Sequence, residues 1–136
     1  VRIKEKAMVE LLRNQDPDRS LVLVAVEDGR ILGSIHAEKR EDNRAEFGLF
    51  AVDPSLQSRG LGGMLLDAAE AHARDSWEVD EGVMYLLEMR EDLYRWYEKR
   101  GYRRTGVKVP FPEDQIGAIG IPLVELRFDE LINPAL

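Results

Sequence analysis

The sequence predicts a mixed α/β domain, a mostly antiparallel central sheet flanked by helices, on three observations. Three β-rich runs, beginning at Leu21, Arg30 and Ala45, follow one another with only short polar turns between them. The order then changes to helix, strand, helix. Finally, 136 residues, 44% hydrophobic and 33% charged, are the size and composition of one globular domain, so residues 1–136 are read as a single unit of fold.

The elements can be justified in order. Ile3, Ala7, Met8, Leu11 and Leu12 recur on one helical face, with Lys4, Lys6 and Glu10 opposite, which predicts an amphipathic helix from Ile3 to Arg13. Asn14 to Asp18 breaks it, because Pro17 disfavours helix in the residue before it and Asp and Asn favour turns. Leu21 to Val26 is a dense aliphatic run ended by Asp28-Gly29, a pair that tolerates the positive φ of a tight hairpin. The second strand, Arg30 to Glu38, is expected antiparallel to it, and a third, Ala45 to Val52, ends at Asp53-Pro54. A period of two through the third strand would put Glu46, Gly48, Phe50 and Val52 on one face and Ala45, Phe47, Leu49 and Ala51 on the other.

Beyond the meander, a helix is expected from Ser58 to about Arg74 with an apolar stripe of Leu61, Leu65, Ala68 and His72. A buried strand from Val83 to Met89 and a helix from Leu93 to Arg100 follow, the helix stopped by Gly101. Leu93, Trp96, Tyr97 and Arg100 share one face of it. Tyr102 to Val109 reads as a strand, Pro110 to Pro122 as a Pro/Gly-rich connection, and Leu123 to Phe128 as the last strand.

Composition narrows the function. With 19 Lys+Arg against 26 Asp+Glu the net charge is −7, which argues against diffuse binding to nucleic acid or an anionic membrane. With no cysteine there is no disulfide, thiolate nucleophile or Cys-held metal, and His36 and His72 alone make a poor metal set, so no metal site is expected. No run approaches the roughly 18 apolar residues of a membrane span, and the opening residues read as neither a signal nor a transit peptide, so a cytoplasmic address is expected. The chain opens on Val1, which leaves loss of an N-terminal segment open.

The segment Gln57-Ser58-Arg59-Gly60-Leu61-Gly62-Gly63 stands out from this background. Glycine in a helix costs about 1 kcal/mol relative to alanine, so helix propensity did not select three of them at a helix start. A helix start offers N–H groups without intrahelical partners and the positive end of the macrodipole, and glycine lets an anion approach that backbone. Arg59 adds a bidentate cation at the same place. Close packing of the turn under a neighbouring strand explains the glycines equally well. A nucleotide P-loop needs a lysine that is absent here, and a dinucleotide fingerprint needs a third glycine where Leu65 stands.

In these residues the sequence resembles the GCN5-related N-acetyltransferases. Their central motif, a strand, a Val-Asp-Pro-like turn and a Gln/Arg-x-x-Gly-x-Gly/Ala helix start, is matched by Leu49 through Gly62. Their aromatic helix ending in Tyr-Glu-Lys-x-Gly-Phe/Tyr is matched by Tyr97-Glu98-Lys99-Arg100-Gly101-Tyr102. The resemblance covers roughly Leu21 to Phe128 and implies acetyl-coenzyme A as cofactor and a small-molecule or peptide amine as acceptor. It implies that the backbone of Phe50, Ala51 and Val52 takes the pantetheine arm and that Ser58, Arg59, Gly60, Leu61, Gly62 and Gly63 take the pyrophosphate. The chain departs from the family in having too few residues ahead of its first strand for the usual N-terminal strand and helix, and in the short connection Arg90-Glu91-Asp92, which lacks an Asn often found there.

Acetyl transfer to an amine requires a deprotonated nucleophile, an aligned thioester, donors for the developing oxyanion and a proton for the departing thiolate. Because a lysine-like amine titrates near ~10.4, a base is needed at neutral pH. Glu46 is the first candidate, on the strand position where some family members carry a catalytic glutamate, and Glu88 on the neighbouring strand is the second. The resemblance makes Tyr97 the donor to the thiolate. For all three a structural role is the alternative: a strand carboxylate bonded to backbone or Arg, or an aromatic in the core. Lack of Cys and of a Gly-x-Ser-x-Gly elbow leaves direct attack in a ternary complex. His36 reads as structural or surface, His72 as core-edge, Trp77 as packing a helix end, and Lys99 to Arg104 as a solvated helix end. Phe111 in the Pro/Gly-rich connection is an acceptor-side candidate, and pairing of two copies through their last strands stays open. A non-catalytic acyl-coenzyme A-binding module and an interaction domain on the same fold are the rival readings.

Overall fold

The computed structural model describes residues 16, 18–87, 90–110 and 127–136, and within these all side chains but those of residues 57–59. Its residues fall into two compact units, one of the residues up to Gly82 together with Leu136, the other Val83–Ala135. The expected helix at Ile3 to Arg13, Glu88, and Phe111 with most of its connection lie outside the described residues.

The first unit is built on a meander of β1 (Ser20–Glu27), β2 (Arg30–Lys39) and β3 (Ala45–Val52), each antiparallel to the next. Asp28 and Gly29 join β1 to β2 with φ of 52° and 74°, the doubly left-handed turn that matches strand twist and that the Asp-Gly pair predicted. Between β2 and β3 the reversal closes with Arg40 N–H donating to the Arg44 carbonyl at 2.8 Å. Helix α1 (Leu61–Ser76) packs on this sheet, mostly against β2. Leu61, Leu65, Leu66, Ala69 and Ala73 of α1 are buried, as are Leu21, Ile35, Ala37, Ala45 and Phe47 of the strands. The buried stripe therefore runs through Leu66 and Ala69, and Ala68, expected within it, is exposed. His72 sits at its edge, its ring T-shaped to buried Trp77 at 5.0 Å, so the first is core-edge and the second packs the helix end, as expected.

The third strand corrects the simple alternation. His36 pairs with Gly48 and Ser34 with Ala51, so β3 spends one residue more than β2 between the two pairs. Leu49 takes φ +47°, a left-handed conformation uncommon for a branched side chain. This is a β-bulge, and a bulge inverts the facing of everything beyond it. Ala37 pairs with Phe47 and Gly33 with Val52, on the face covered by α1. Glu38 pairs with Glu46 and His36 with Gly48 on the opposite face. Glu46 and Gly48 thus do not share a face with Phe50 and Val52.

In the second unit β6 (Arg127–Asn133) lies between β4 (Gly82–Leu87) and β5 (Arg103–Pro110), antiparallel to β5. The last strand therefore runs past Phe128, its expected end, to Asn133. Helix α2 (Glu91–Glu98) begins two residues before the expected Leu93, with Glu91 and Asp92 in the first turn where acidic side chains complement the macrodipole. It buries Tyr94 and Tyr97, so Tyr94 joins the buried face while Trp96 is half-buried under the Arg100 guanidinium, 4.5 Å from the ring centroid. Gly101, φ +101°, ends this helical segment as predicted, and Asn133 Nδ2 donates to the Arg100 carbonyl beside it. Arg103 donates to the Glu98 and Tyr102 carbonyls at 2.9 and 2.8 Å, completing the basic helix end. Among the described residues no helix is long and apolar enough to cross a membrane, and no group of three or more His, Asp or Glu is placed to hold a metal ion.

Candidate functional site

Strand β3, its turn and the start of α1 form one continuous piece of backbone. Asp53 ends β3 and begins a 3₁₀ turn, Pro54–Arg59, accepting from the Ser55 backbone N–H at 3.0 Å and from its hydroxyl at 2.7 Å. Those bonds, with the Arg30 guanidinium 3.1 Å away, hold the Asp53 carboxyl below the usual carboxylate range. Backbone N–H of Asp53 in turn donates to the Leu32 carbonyl at 2.9 Å, tying the turn to β2. Val-Asp-Pro is therefore a structural device: its carboxylate caps the turn and its proline starts it.

The 3₁₀ turn occupies Ser58 and Arg59, which the sequence placed inside the helix, and α1 begins only at Leu61. Gly60 is the hinge between them at φ +76°, with nothing within 4 Å of where a Cβ would stand. Its glycine is explained by backbone conformation and by open space in front of it. At Gly62 a Cβ would lie 3.5 Å from Phe50 Cζ and 3.8 Å from Val52 Cγ2, ordinary contact with the neighbouring strand that does not by itself require glycine. Gly63 is buried.

The electrostatics of this helix start favour an anion. No side chain caps it, no acidic residue stands in its first turn, and the first intrahelical bond is Met64 N–H to the Gly60 carbonyl at 3.2 Å. The amides of Leu61, Gly62 and Gly63 precede that bond, in the first turn where a helix N-terminus presents its donors. At Leu49 and Phe50 the bulge interrupts the regular one-to-one register between β2 and β3. Ala51 and Val52, by contrast, are paired with Ser34 and Gly33.

The candidate catalytic side chains have distinct environments. Glu46 is half-buried on the sheet face away from α1, with an Arg40 nitrogen 3.7 Å from its carboxylate. Burial pushes its carboxyl up; Arg40 pulls it down, while Glu38 and Asp42 add to the rise. In the second unit Tyr97 is buried between Trp96 and Tyr102, both T-shaped to it at 5.0 and 6.0 Å, and burial pushes its phenol up to about 12. Glu88 lies outside the described residues. Sequence reasoning missed the bulge at Leu49. Its signal was Gly48, a glycine in a strand interior.

The chain matches the acetyltransferase (GNAT) family over residues 2–102, and it belongs to that family. It is 31% identical over 94 residues to the mycothiol acetyltransferase of Thermomonospora curvata; the match takes in 69% of this chain and 31% of that protein's length. Its fold is shared by Ard1 from Thermoplasma volcanium, with TM-score 0.77 and 20% identity over 100% of this chain and 82% of that one. A GNAT family acetyltransferase from Elizabethkingia anophelis, solved with acetyl-CoA bound, shares it at TM-score 0.76 and 19% identity over 96% and 83% of the two chains.

Proposed function

We propose that this chain transfers the acetyl group of acetyl-coenzyme A to an amine, small-molecule or peptide, by direct attack in a ternary complex. The observation that carries the reading is the uncapped start of α1 behind the left-handed hinge of Gly60, next to a bulged strand, within the span matched by the acetyltransferase family. That match runs through both compact units, which supports reading 1–136 as one acyltransferase domain. A cytoplasmic setting goes with this reading.

The roles follow from the donor sets. Ser58, Arg59, Gly60, Leu61, Gly62 and Gly63 hold the pyrophosphate, with the α1 amides as the principal donors. Backbone groups of Phe50, Ala51 and Val52 hold the pantetheine, at the bulge and just beyond it. Bound acetyl-coenzyme A supplies an activated thioester carbonyl. Glu46 takes a proton from the acceptor ammonium, with Glu88 the alternative carboxylate, and Tyr97 gives a proton to the departing sulfur. Its raised pKa keeps that phenol protonated throughout the physiological range.

Thermal unfolding with and without acetyl-coenzyme A tests the reading. A ligand at ~100 times its dissociation constant adds about 2.7 kcal/mol and raises Tm by several degrees. Such a shift together with amine-dependent release of free thiol is the expected result. A shift without thiol release across a panel of amines points to a binding module, and no shift at millimolar ligand overturns the proposal.

A further inference from the structure

On the sheet face that carries Glu46, a second side chain has the chemistry of a base. His36 is half-buried on β2, its Nε2 2.9 Å from Ser20 Oγ on β1. That is the one hydrogen bond of its ring among the described residues. Directly across on β3 stands Gly48, and among the described residues a Cβ built there meets nothing within 4 Å, so no described side chain fills the position opposite His36. Glu38 and Glu46 form the next pair along the same face, which sets Glu46 on the diagonal from His36 at roughly 7–8 Å between backbones. Among the described residues, Gly48 thus stands between the imidazole of His36 across the strands and the carboxylate-bearing Glu46 two residues along its own strand.

Acetyl transfer to a primary ammonium requires two proton losses at nitrogen. The nitrogen loses one proton before it can attack. Once its bond to the acyl carbon has formed it carries positive charge again and must lose a second, as the carbon–sulfur bond breaks. Of the two protons one is balanced by protonation of the sulfur and the other leaves to solvent. The first needs a carboxylate to draw and hold the cation. The second comes from a far more acidic nitrogen, which a weak neutral base can deprotonate.

We propose that His36 is that second base: the acceptor nitrogen sits over Gly48, and the His36 ring, oriented by Nε2–H donation to Ser20 Oγ, takes the second proton on Nδ1. This rests on the acetyltransferase reading and on Glu46 as the first base. Burial lowers the His36 pKa below its ordinary value and Glu38 partly restores it, so the ring is neutral at physiological pH. The groups facing it are Ser20 and Val22 from β1, Gly48 and Glu46 from β3, and Glu38 from its own strand; Arg40 and Asp42 bear on it through Glu46. A histidine retained only for its bond to Ser20 would be indifferent to the acceptor.

The test uses the whole chain and His36→Gln, with a tripeptide bearing a free α-amino group as probe acceptor. His36→Gln is expected to bind acetyl-coenzyme A as the parent does and to lower kcat by roughly 10²-fold. It is also expected to remove one unit of slope from the acid limb of log kcat against pH. An unchanged acid limb overturns the proposal while leaving the acetyltransferase reading intact; loss of acetyl-coenzyme A binding by the parent chain overturns both. A second measurement needs no turnover. His36 and His72 are the two histidines of the sequence, so peptide mapping after diethyl pyrocarbonate treatment reads each separately. His36 should be carbethoxylated readily at pH 7.5, where a ring with a lowered pKa is neutral, and an unreactive His36 overturns the proposal.

Discussion

A Cβ built on Gly33 would stand 2.8 Å from the carbonyl oxygen of Ala51, closer than a real side chain can approach a backbone oxygen. It would also lie 3.1 Å from Leu65 Cδ1 and 3.3 Å from Val52 Cγ2, so β2 and β3 press together here, under α1, just past the bulge. Neither the carbonyl nor the buried leucine can yield without moving the strand. Gly33→Ala is therefore expected to destabilise the protein by about 1–3 kcal/mol. At this chain length each kcal/mol lowers Tm by about 3–5 °C. A thermal melt equal to the parent's would mean that β3 shifts freely at this point.

Most of the fold was legible because its punctuation is written in residues with one strong local preference. Asp28-Gly29 can do little but turn, Pro54 starts a helical turn, and Gly101 stops one. The bulge was not legible, because Leu49 adopts its left-handed φ against its own preference and only neighbouring Gly48 hints at it. With the bulge unseen, the alternation carried Phe50 and Val52 to the wrong side of the sheet relative to Glu46. Helix limits slipped for a related reason: Ser58 and Arg59 are as compatible with a 3₁₀ turn as with an α-helix, and the hinge at Gly60 is set by tertiary placement. His36 was readable as a residue but not as a member of a face, since its partners Ser20 and Gly48 come from two other strands.

The end of α1 offers a stability test of a different kind. Val79 N–H reaches back to the Ala73 carbonyl at 3.2 Å, and the residue that makes the reversal is Glu78 at φ +56°. This is the helix-stop geometry in which glycine is usual, and a side chain there costs about 1–2 kcal/mol. Glu78 is exposed, so little packing is lost with it. Glu78→Gly should stabilise by about 1 kcal/mol, less than the full strain because glycine also loosens the unfolded chain. An upward Tm shift of about 3–5 °C is the expected reading, and a decrease would mean that the glutamate makes a contact worth more than the strain.

The anion site at Gly60 can be probed without breaking the fold. Its Cβ position is open, and Asn and Asp are the side chains that best tolerate a left-handed backbone, so Gly60→Asn and Gly60→Asp should both fold. The two are nearly isosteric and differ in charge. Gly60→Asp is expected to abolish coenzyme A binding by setting a carboxylate against the phosphates, whereas Gly60→Asn should weaken it about tenfold or less. Calorimetric titration with coenzyme A separates them. Equal affinities for the two variants would remove the diphosphate from the start of α1.

Tyr97 can be separated from a purely structural aromatic by titration. Its phenol ionises near 10 in an unfolded chain and at about 12 here, chiefly through burial, opposed by the Arg90 charge. Between those values the unfolded chain has released a proton that the native protein still holds, so this group favours the native state below pH ~10 and that preference is lost as pH rises towards 12. Tyr97→Phe should therefore melt with a shallower decline between pH 10 and 12 than the parent. Around pH 7, where the phenol is fully protonated, the same variant should lose turnover while keeping its affinity for acetyl-coenzyme A, because the ring and its T-shaped contacts with Trp96 and Tyr102 are retained. Since a thiol titrating near ~8.5 leaves moderately well unaided, the loss is expected to be modest, about tenfold. Equal turnover by the two proteins, together with the altered alkaline melt, would assign the hydroxyl to the core of the second unit and leave the departing sulfur to be protonated by water.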